Sequence, residues 1–211
     1  MAKIDLKKDL KHLYNPSSKE VAVVDVSEMK FLMVDGAGNP NTAQEYKDAV
    51  EALYAISYAL KFMIKKGEAA IDYGVIMPLE GLWWADDMSQ FSAENKDIWK
   101  WTSMIMQPKY VTEDLFDKAI DQVRKRRSLR AFPEMRFERF HEGLAAQIMH
   151  LGSYSAEGPT VERLHNFIKE NGYELRGKHL HLLCTESLFL LWHLTSTRQT
   201  CSWFVQNIRF L

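Results

Sequence analysis

Residues 79–87 read Leu-Glu-Gly-Leu-Trp-Trp-Ala-Asp-Asp, and residues 99–101 add Trp-Lys-Trp. Four of the chain's six tryptophans therefore lie in one short region, next to a carboxylate. Alternate residues of a β-strand share a face, so Glu80 and Trp84 fall together while Trp83 falls on the opposite side. At least one of the two adjacent indoles must then lie on the sheet face that helices leave uncovered. An uncovered indole is costly unless it lines a site, which makes this region the first place to look for a ligand.

The surrounding sequence predicts strands and helices in a repeated order. Strands are expected over 21–26 and 29–34, then 71–85, 97–106, 135–141 and 144–151. Helices are expected to begin at Thr42 as a capping box with Glu45, at Thr112 as an N-cap, and at Thr160. Each half of the chain runs strand, glycine-bearing loop, Thr-led helix, glycine stop and strand. Two such units predict an α+β tandem-repeat antiparallel sheet, with helices packed on one face and a ligand groove at the pseudo-two-fold seam.

Three segments follow from this pattern. Residues 1–18 are expected to form a mobile N-terminal arm, closed by the turn cluster Asn-Pro-Ser-Ser at 15–18. Residues 19–184 form the predicted domain. Residues 185–211 form an atypical tail, because residues 180–211 contain few charged side chains together with both cysteines, and 187–194 is an apolar candidate for aggregation. We expect this tail to pack less well than the rest, and expect any last strand at about 179–184.

Composition excludes several classes of protein. A net charge of −1 over 211 residues provides no general attraction to nucleic acid or anionic lipid. The basic run at 124–127 suits a helix C-terminus better than a nucleic-acid contact. The two cysteines form no CxxC pair, and no apolar run could span a bilayer. The sequence therefore predicts a cytoplasmic protein without membrane or nucleic-acid partners.

Catalytic and cofactor motifs are scarce. No Walker loop, GxSxG or HExxH motif occurs, and no cofactor is predicted. His179 and His181 could share one strand face, but no third metal ligand is evident, so no metal is expected. Glu80 and Glu142 are the candidate general bases, because indoles around a carboxyl group would desolvate it and raise its pKa. The competing interpretation is that the indoles belong to the core and the carboxylates to the surface.

Several ordered motifs over about residues 5–179 resemble one family. They are LKHLY at 10–14, MVDGAGNPN at 33–41, YALK at 58–61, LEGLWW at 79–84, WKWT at 99–102 and MIMQP at 104–108. Together they resemble the stand-alone GyrI-like small-molecule-binding proteins. The resemblance implies a tandem-repeat sheet with a ligand groove near the pseudo-two-fold axis. It also implies that some relatives hydrolyse cyclopropane rings of DNA-alkylating compounds, the cyclopropanoid cyclohexadienone hydrolases, whereas others only bind lipophilic cations.

The chain departs from the family pattern after Lys178. The family's groove glutamate falls by position at His181 and its tyrosine at Leu183, and the ending is either a changed reading frame or unrelated sequence. His181 therefore joins Glu80 and Glu142 as a candidate catalytic residue, and any hydrolytic activity should be weaker than the resemblance implies. The expected ligand-binding walls are Trp83, Trp84, Trp99, Trp101, Tyr58, Met104 and Phe137.

Three functions remain open at this point. The chain is expected to bind lipophilic, aromatic or cationic small molecules (xenobiotics), as multidrug-binding relatives do. The first alternative is a hydrolase that opens cyclopropane rings. The second is a structural or interaction protein that uses its aromatic patch, in which case a stable dimer would be expected; the sequence does not fix the oligomeric state.

Overall fold

The computed structural model describes residues 2–68, 70–92, 94–125, 135–153, 156–184 and 200–210, with side chains as far as Leu175. The helices are α1 (Leu6–Asp9), α2 (Lys11–Tyr14), α3 (Gln44–Lys66), α4 (Glu113–Arg124) and α5 (Gly158–Glu170). The strands are β1 (Ala2–Lys3), β2 (Ala22–Val26), β3 (Met29–Ala37), β4 (Ile71–Asp72), β5 (Leu79–Trp84), β6 (Lys100–Gln107), β7 (Met135–Phe140), β8 (Gly143–Gly152), β9 (Tyr173–Cys184) and β10 (Thr200–Phe210). No helix among these is long and apolar enough to cross a bilayer.

Eight strands form one sheet in the order β2-β8-β10-β9-β5-β6-β3-β7. Every pair of neighbours in it is antiparallel. The first repeat provides β3, α3, β5 and β6, and the second provides β8, α5, β9 and β10. Strands β5 and β9 pair at the centre, where the two repeats meet. The predicted α+β tandem-repeat architecture is confirmed.

The sheet curls until its two edges approach each other. Strands β2 and β3 stand six places apart, about 29 Å across a flat sheet at the usual strand spacing. Residues 27 and 28 alone join them, and a link of that length spans at most about 11 Å. Residues 141 and 142 join β7 to β8 in the same way. Both short links therefore bring the β2 edge of the sheet close to the β7 edge.

The strand register divides the side chains between two faces. Trp83 lies opposite Trp101, and Trp101 lies opposite Gly36, so these three positions share a face. Helix α3 covers that face, where Gln107 of β6 donates a hydrogen bond to Ser57 of α3 at 3.1 Å. Helices α4 and α5 cover the same side, which we call the helix face. Glu80 belongs to the opposite side, which we call the arm face because the N-terminal residues cover it.

Two of the three predicted helix starts are wrong by one or two residues. Helix α3 begins at Gln44, because the amide of Ala43 donates to the Asn39 carbonyl oxygen and so extends the preceding turn as far as Ala43. Ala43 is therefore the N-cap, and no side chain caps this helix. Helix α5 begins at Gly158, since Pro159 suits the first turn, and Thr160 bonds His150 instead. The N-cap at Thr112 is confirmed, because its hydroxyl oxygen accepts a hydrogen bond from the Leu115 amide.

The N-terminal arm is folded onto the sheet, and the expectation that it is mobile is wrong. Its strand β1 pairs with β4, and Leu13 and Tyr14 in α2 are buried in the core. The sequence-based expectation overlooked these contacts because they join the arm to residues far along the chain. The amide of Met149 donates to the carbonyl oxygen of Ser17 at 3.0 Å, which fixes the exit from the arm.

The last strand was not predicted. The backbone of β10 lies between β8 and β9, inside the sheet. Strand β9 continues to Cys184, so the residues at 179–184 do supply a strand, but a further one follows them. Residues 185–199 lie outside the described part of the chain, as does the predicted aggregation segment, so the comparison of packing in the tail stays a prediction.

Candidate functional site

Five aromatic rings meet on the helix face beside the central pair of strands. The ring of Tyr46 from α3 stands edge-on to Trp101 at 5.0 Å between centroids and lies 5.7 Å from Trp83. Trp83 in turn lies 5.6 Å from Trp99, and Phe91 stacks on Trp99 at 4.6 Å. We call Tyr46, Trp83, Phe91, Trp99 and Trp101 the aromatic cluster. Such contacts between rings stabilise by more than their buried area alone.

Two glycines provide the space in which the indoles lie. A Cβ at Gly36 would lie 2.2 Å from the Trp101 ring, and a Cβ at Gly81 would lie 2.7 Å from Nε1 of Trp83. Neither glycine has a positive φ angle, so the close approach of a ring explains the residue type. The indoles therefore lie flat against the strand backbone, which fixes their orientation.

Polar atoms of the helix face are left without hydrogen-bond partners. The Nε1 atoms of Trp83 and Trp101 and the hydroxyl of Ser103 are buried, and none has a partner in the described part of the structure. Ser103 pairs with Gly81 in the strand register, and the Nε1 atom of Trp83 lies over Gly81. Ser103 is therefore next to the residue that this nitrogen covers. A buried donor without an acceptor costs about 1–3 kcal/mol. A group that supplied an acceptor here would recover that free energy.

The arm face holds a second arrangement, built from carboxyl groups. Tyr14 of α2 donates a 2.6 Å hydrogen bond to Oε1 of Glu80. Burial raises the pKa of Glu80 to about 8, although the hydrogen bond from Tyr14 lowers it, and the charge of Glu142 raises it further. Burial also raises the pKa of Glu142 to about 8. Burial is therefore the first cause of the raised pKa of both carboxyl groups, and at Glu80 the hydrogen bond from Tyr14 opposes it. Their role as general bases stays a prediction.

The remaining predicted wall residues do not join the aromatic cluster. Trp84 alternates with Trp83 and is half-buried on the arm face, where Met104 is fully buried opposite Glu80. Phe137 of β7 stacks on Phe116 of α4 at 5.7 Å, two strands away from Trp101. Tyr58 is 37% exposed on α3. Of the predicted wall residues, the described ring contacts bring only Trp83, Trp99 and Trp101 into the aromatic cluster.

The backbone of His181 lies in strand β9 beside β5. It pairs with Gly81 across β5 and β9, next to the position on which the Trp83 ring lies. Its side chain lies outside the described residues. In the part of the chain that the structure describes, no group of three or more His, Cys, Asp or Glu side chains could hold a metal ion.

Sequence reasoning missed Tyr46, Phe91 and Tyr14. Tyr46 and Phe91 were missed because a helix and a loop bring them to the tryptophans, and no strand alternation reveals that. Tyr14 was missed because the arm was expected to be mobile. A usable signal did exist for the glycines, since Gly36 and Gly81 both interrupt apolar strands in which glycine is otherwise unfavourable.

Comparison with known proteins agrees with this architecture. The family model of the GyrI-like small molecule binding domain matches residues 19–185. An uncharacterized conserved protein from Listeria innocua is 31% identical with a TM-score of 0.85, covering 98% of this chain and 100% of its own. A hydrolase encoded by lin2189 from Listeria innocua is 32% identical with a TM-score of 0.84 and the same coverage.

A third solved structure shares the fold alone. The EcmrR C-terminal domain is 9% identical with a TM-score of 0.53, covering 91% of this chain and 98% of its own. No curated protein matches the chain.

Proposed function

Because the chain belongs to the GyrI-like small-molecule-binding domain family, we propose that it binds flat, lipophilic small molecules at the aromatic cluster. The observation that carries this proposal is the pair of buried indole N–H groups, at Trp83 and Trp101, with no acceptor among the described residues. Small-molecule sites are lined mainly by apolar and aromatic side chains with a few polar groups. The cluster offers that chemistry, although its three indoles are buried in the core. The proposal extends to xenobiotics, which such a site would select by shape and apolar surface.

Charge favours neutral ligands over cations at this cluster. Lys96 already places its ammonium group 5.1 Å from the centre of the Trp99 ring. A second cation would meet that positive charge, and the cation–π attraction of the ring is already in use. Glu80 lies across the sheet on the arm face. Glu157 interacts electrostatically with Lys96 and so already balances part of its positive charge. We therefore expect the preferred ligand to be uncharged.

The test uses one neutral and one cationic probe. Tryptophan fluorescence should titrate with micromolar affinity when 9-fluorenone is added, and much more weakly with tetraphenylphosphonium. Trp83→Phe should weaken fluorenone binding about fivefold or more through loss of the indole N–H and of ring area. Trp84→Phe is the matched control, because it removes a neighbouring indole on the other face. Equal losses in both variants, or no saturable binding at all, would refute the proposal.

A hydrolase is the second candidate, favoured by the 32% identical Listeria hydrolase that covers the whole of its own chain. In the reaction proposed, a water oxygen bonds to one carbon of a cyclopropane ring. The strained C–C bond breaks, and its electron pair takes up a proton. A positioned general base accelerates such a reaction by about 10²–10⁴-fold. His181 is the proposed base, since its backbone pairs with Gly81 beside Trp83.

Turnover of a cyclopropane-bearing alkylator separates binding from hydrolysis. His181→Ala should reduce kcat by at least tenfold, whereas Glu80→Gln should leave it unchanged because Glu80 lies on the other face. Turnover that is lost in Glu80→Gln and kept in His181→Ala would reverse this assignment. Binding of fluorenone without any turnover would leave the chain as a binder alone.

A further inference from the structure

Helix α3 carries two aromatic side chains on the side that faces solvent. Phe62 is 52% exposed, and Tyr58, one of the expected ligand-binding walls, is exposed as well. The described residues give neither ring a hydrogen bond or a contact with another ring. Ala55 lies about one turn before Tyr58 and is half-buried. We call Ala55, Tyr58 and Phe62 the outer stripe.

The outer stripe has the spacing of a helix that packs against another helix. Its members follow one another at intervals of three and four residues, as the apolar residues of paired helices do. The exposed side of a surface helix is normally polar, so an apolar run over two turns in its middle indicates a surface that a partner covers. Lys61 donates to the carbonyl oxygen of Gly74, which holds the exposed Val75 beside α3 and extends the apolar surface.

The two ends of α3 carry opposite charge. Its first eight residues hold three acidic side chains and one lysine, and its last six hold three lysines and no acidic side chain. A partner helix with the same pattern therefore fits in the antiparallel direction, where each acidic end meets a basic end. A second copy of the chain supplies that helix, because a two-fold axis across α3 reverses its direction.

Size and charge match when the axis passes between Tyr58 and Ala59. Ala55 of one copy then lies opposite Phe62 of the other, so a small side chain leaves space for a large one. The exposed Glu51 of one copy lies opposite the exposed Lys66 of the other, about 22 Å apart along each helix. Glu51 also interacts within its own chain, and its carboxylate has acceptor sites for a second partner.

We propose that α3 is a homodimer surface, on which the outer stripes of two copies pack against each other in antiparallel orientation. The same patch serves both copies, which is typical of two-fold dimers. The stripe faces solvent, whereas the aromatic cluster lies between α3 and the sheet, so the dimer does not depend on what the cluster binds. One helix of this length buries less than the roughly 800 Å² per partner of a standard interface, so we expect a weak dimer with a Kd of about 10–100 μM.

Sedimentation velocity of the full chain measures the Kd. The average mass should rise from that of one chain towards that of two between about 5 and 500 μM. Phe62→Glu places a charge in the middle of the contact and should raise the Kd about tenfold or more. Val23→Glu is the matched control, because Val23 is an exposed apolar residue on β2, and it should leave the Kd unchanged. A monomer at every concentration, or equal effects of both substitutions, would overturn the proposal.

A charge exchange tests the antiparallel arrangement. Glu51→Lys alone places lysine opposite Lys66, and Lys66→Glu alone places glutamate opposite Glu51, so each should raise the Kd about fivefold. An equimolar mixture of the two variants should recover the original Kd, because opposite charges then meet at both ends of the contact. A local effect of either substitution on its own chain would not be reversed by mixing. A mixture that associates no better than the separate variants would refute the antiparallel dimer.

Discussion

A methyl group added at Gly36 should destabilise the protein strongly, because it would occupy the space of the Trp101 ring. The new Cβ would lie 2.2 Å from Cζ2 and 2.3 Å from Cη2 of that indole. Carbon atoms in contact are normally at least about 3.5 Å apart, so the ring must retreat by roughly 1.3 Å. Trp101 is fully buried and Tyr46 stands edge-on against it, which leaves no room for that movement. We expect a loss of about 3 kcal/mol, the upper end for overpacking.

Urea unfolding of Gly36→Ala beside Gly158→Ala measures this cost. Gly158 is the matched control, because a Cβ there meets nothing within 4 Å and alanine suits the helix α5 that it begins. The loss should also fall in a Trp101→Phe background, where the smaller ring leaves space for the methyl group. If Gly36→Ala were as stable as the unchanged protein, or equally costly in both backgrounds, the packing argument would be refuted.

Three further measurements test other parts of the structure. The free energy of unfolding should fall as pH rises from about 4.5 to about 8, because the folded state holds the protons of Glu80 and Glu142 longer than the unfolded chain does. The expected slope is about 1.4 kcal/mol per pH unit for each group. Stability that rises over this range would contradict the burial of both groups. Thr112→Ala should cost about 1 kcal/mol in chemical unfolding through the lost helix cap, and a cost near zero would show that water replaces it. Asp86→Asn should change stability by less than about 0.5 kcal/mol, because its ion pair with Lys100 is exposed, and a larger loss in thermal unfolding would show a buried role.

Local signals in the sequence located most elements of the fold. Helix α3 ends at Lys66 because Gly67 follows it, which agrees with the predicted glycine stop, and α4 begins after the predicted Thr112 cap. The repeat of strand, loop and helix also predicted the tandem architecture. What local signals could not provide was the curl of the sheet, because it depends on strands that are distant in sequence. The arm was misjudged for the same reason, since Tyr14 acquires its partner 66 residues away.

The candidate site could be predicted only in part. Alternation correctly separates Trp83 from Trp84, but it cannot say which face a helix covers. Tyr46 and Phe91 come from a helix and a loop whose positions are set by tertiary packing, so no periodicity of the strands reveals them. Conversely, Phe137 looked equivalent to the tryptophans by residue type. It lies two strands away against α4, because β3 separates its strand from that of Trp101.

The carboxylate and the indoles are neighbours in sequence because one strand serves two different environments. In β5, Gly81 and Trp83 face the helices, whereas Glu80 and Trp84 face the arm. A slip of one residue in the register of β5 would place Glu80 among the rings and Trp83 against Tyr14, so both environments depend on the same pairing. The Trp101 ring packs against Gly36 and the Trp83 ring packs against Gly81, and only glycine leaves space for the rings there. This packing disfavours the slip. The glycines that hold the indoles therefore also keep Glu80 on the face that the N-terminal residues cover.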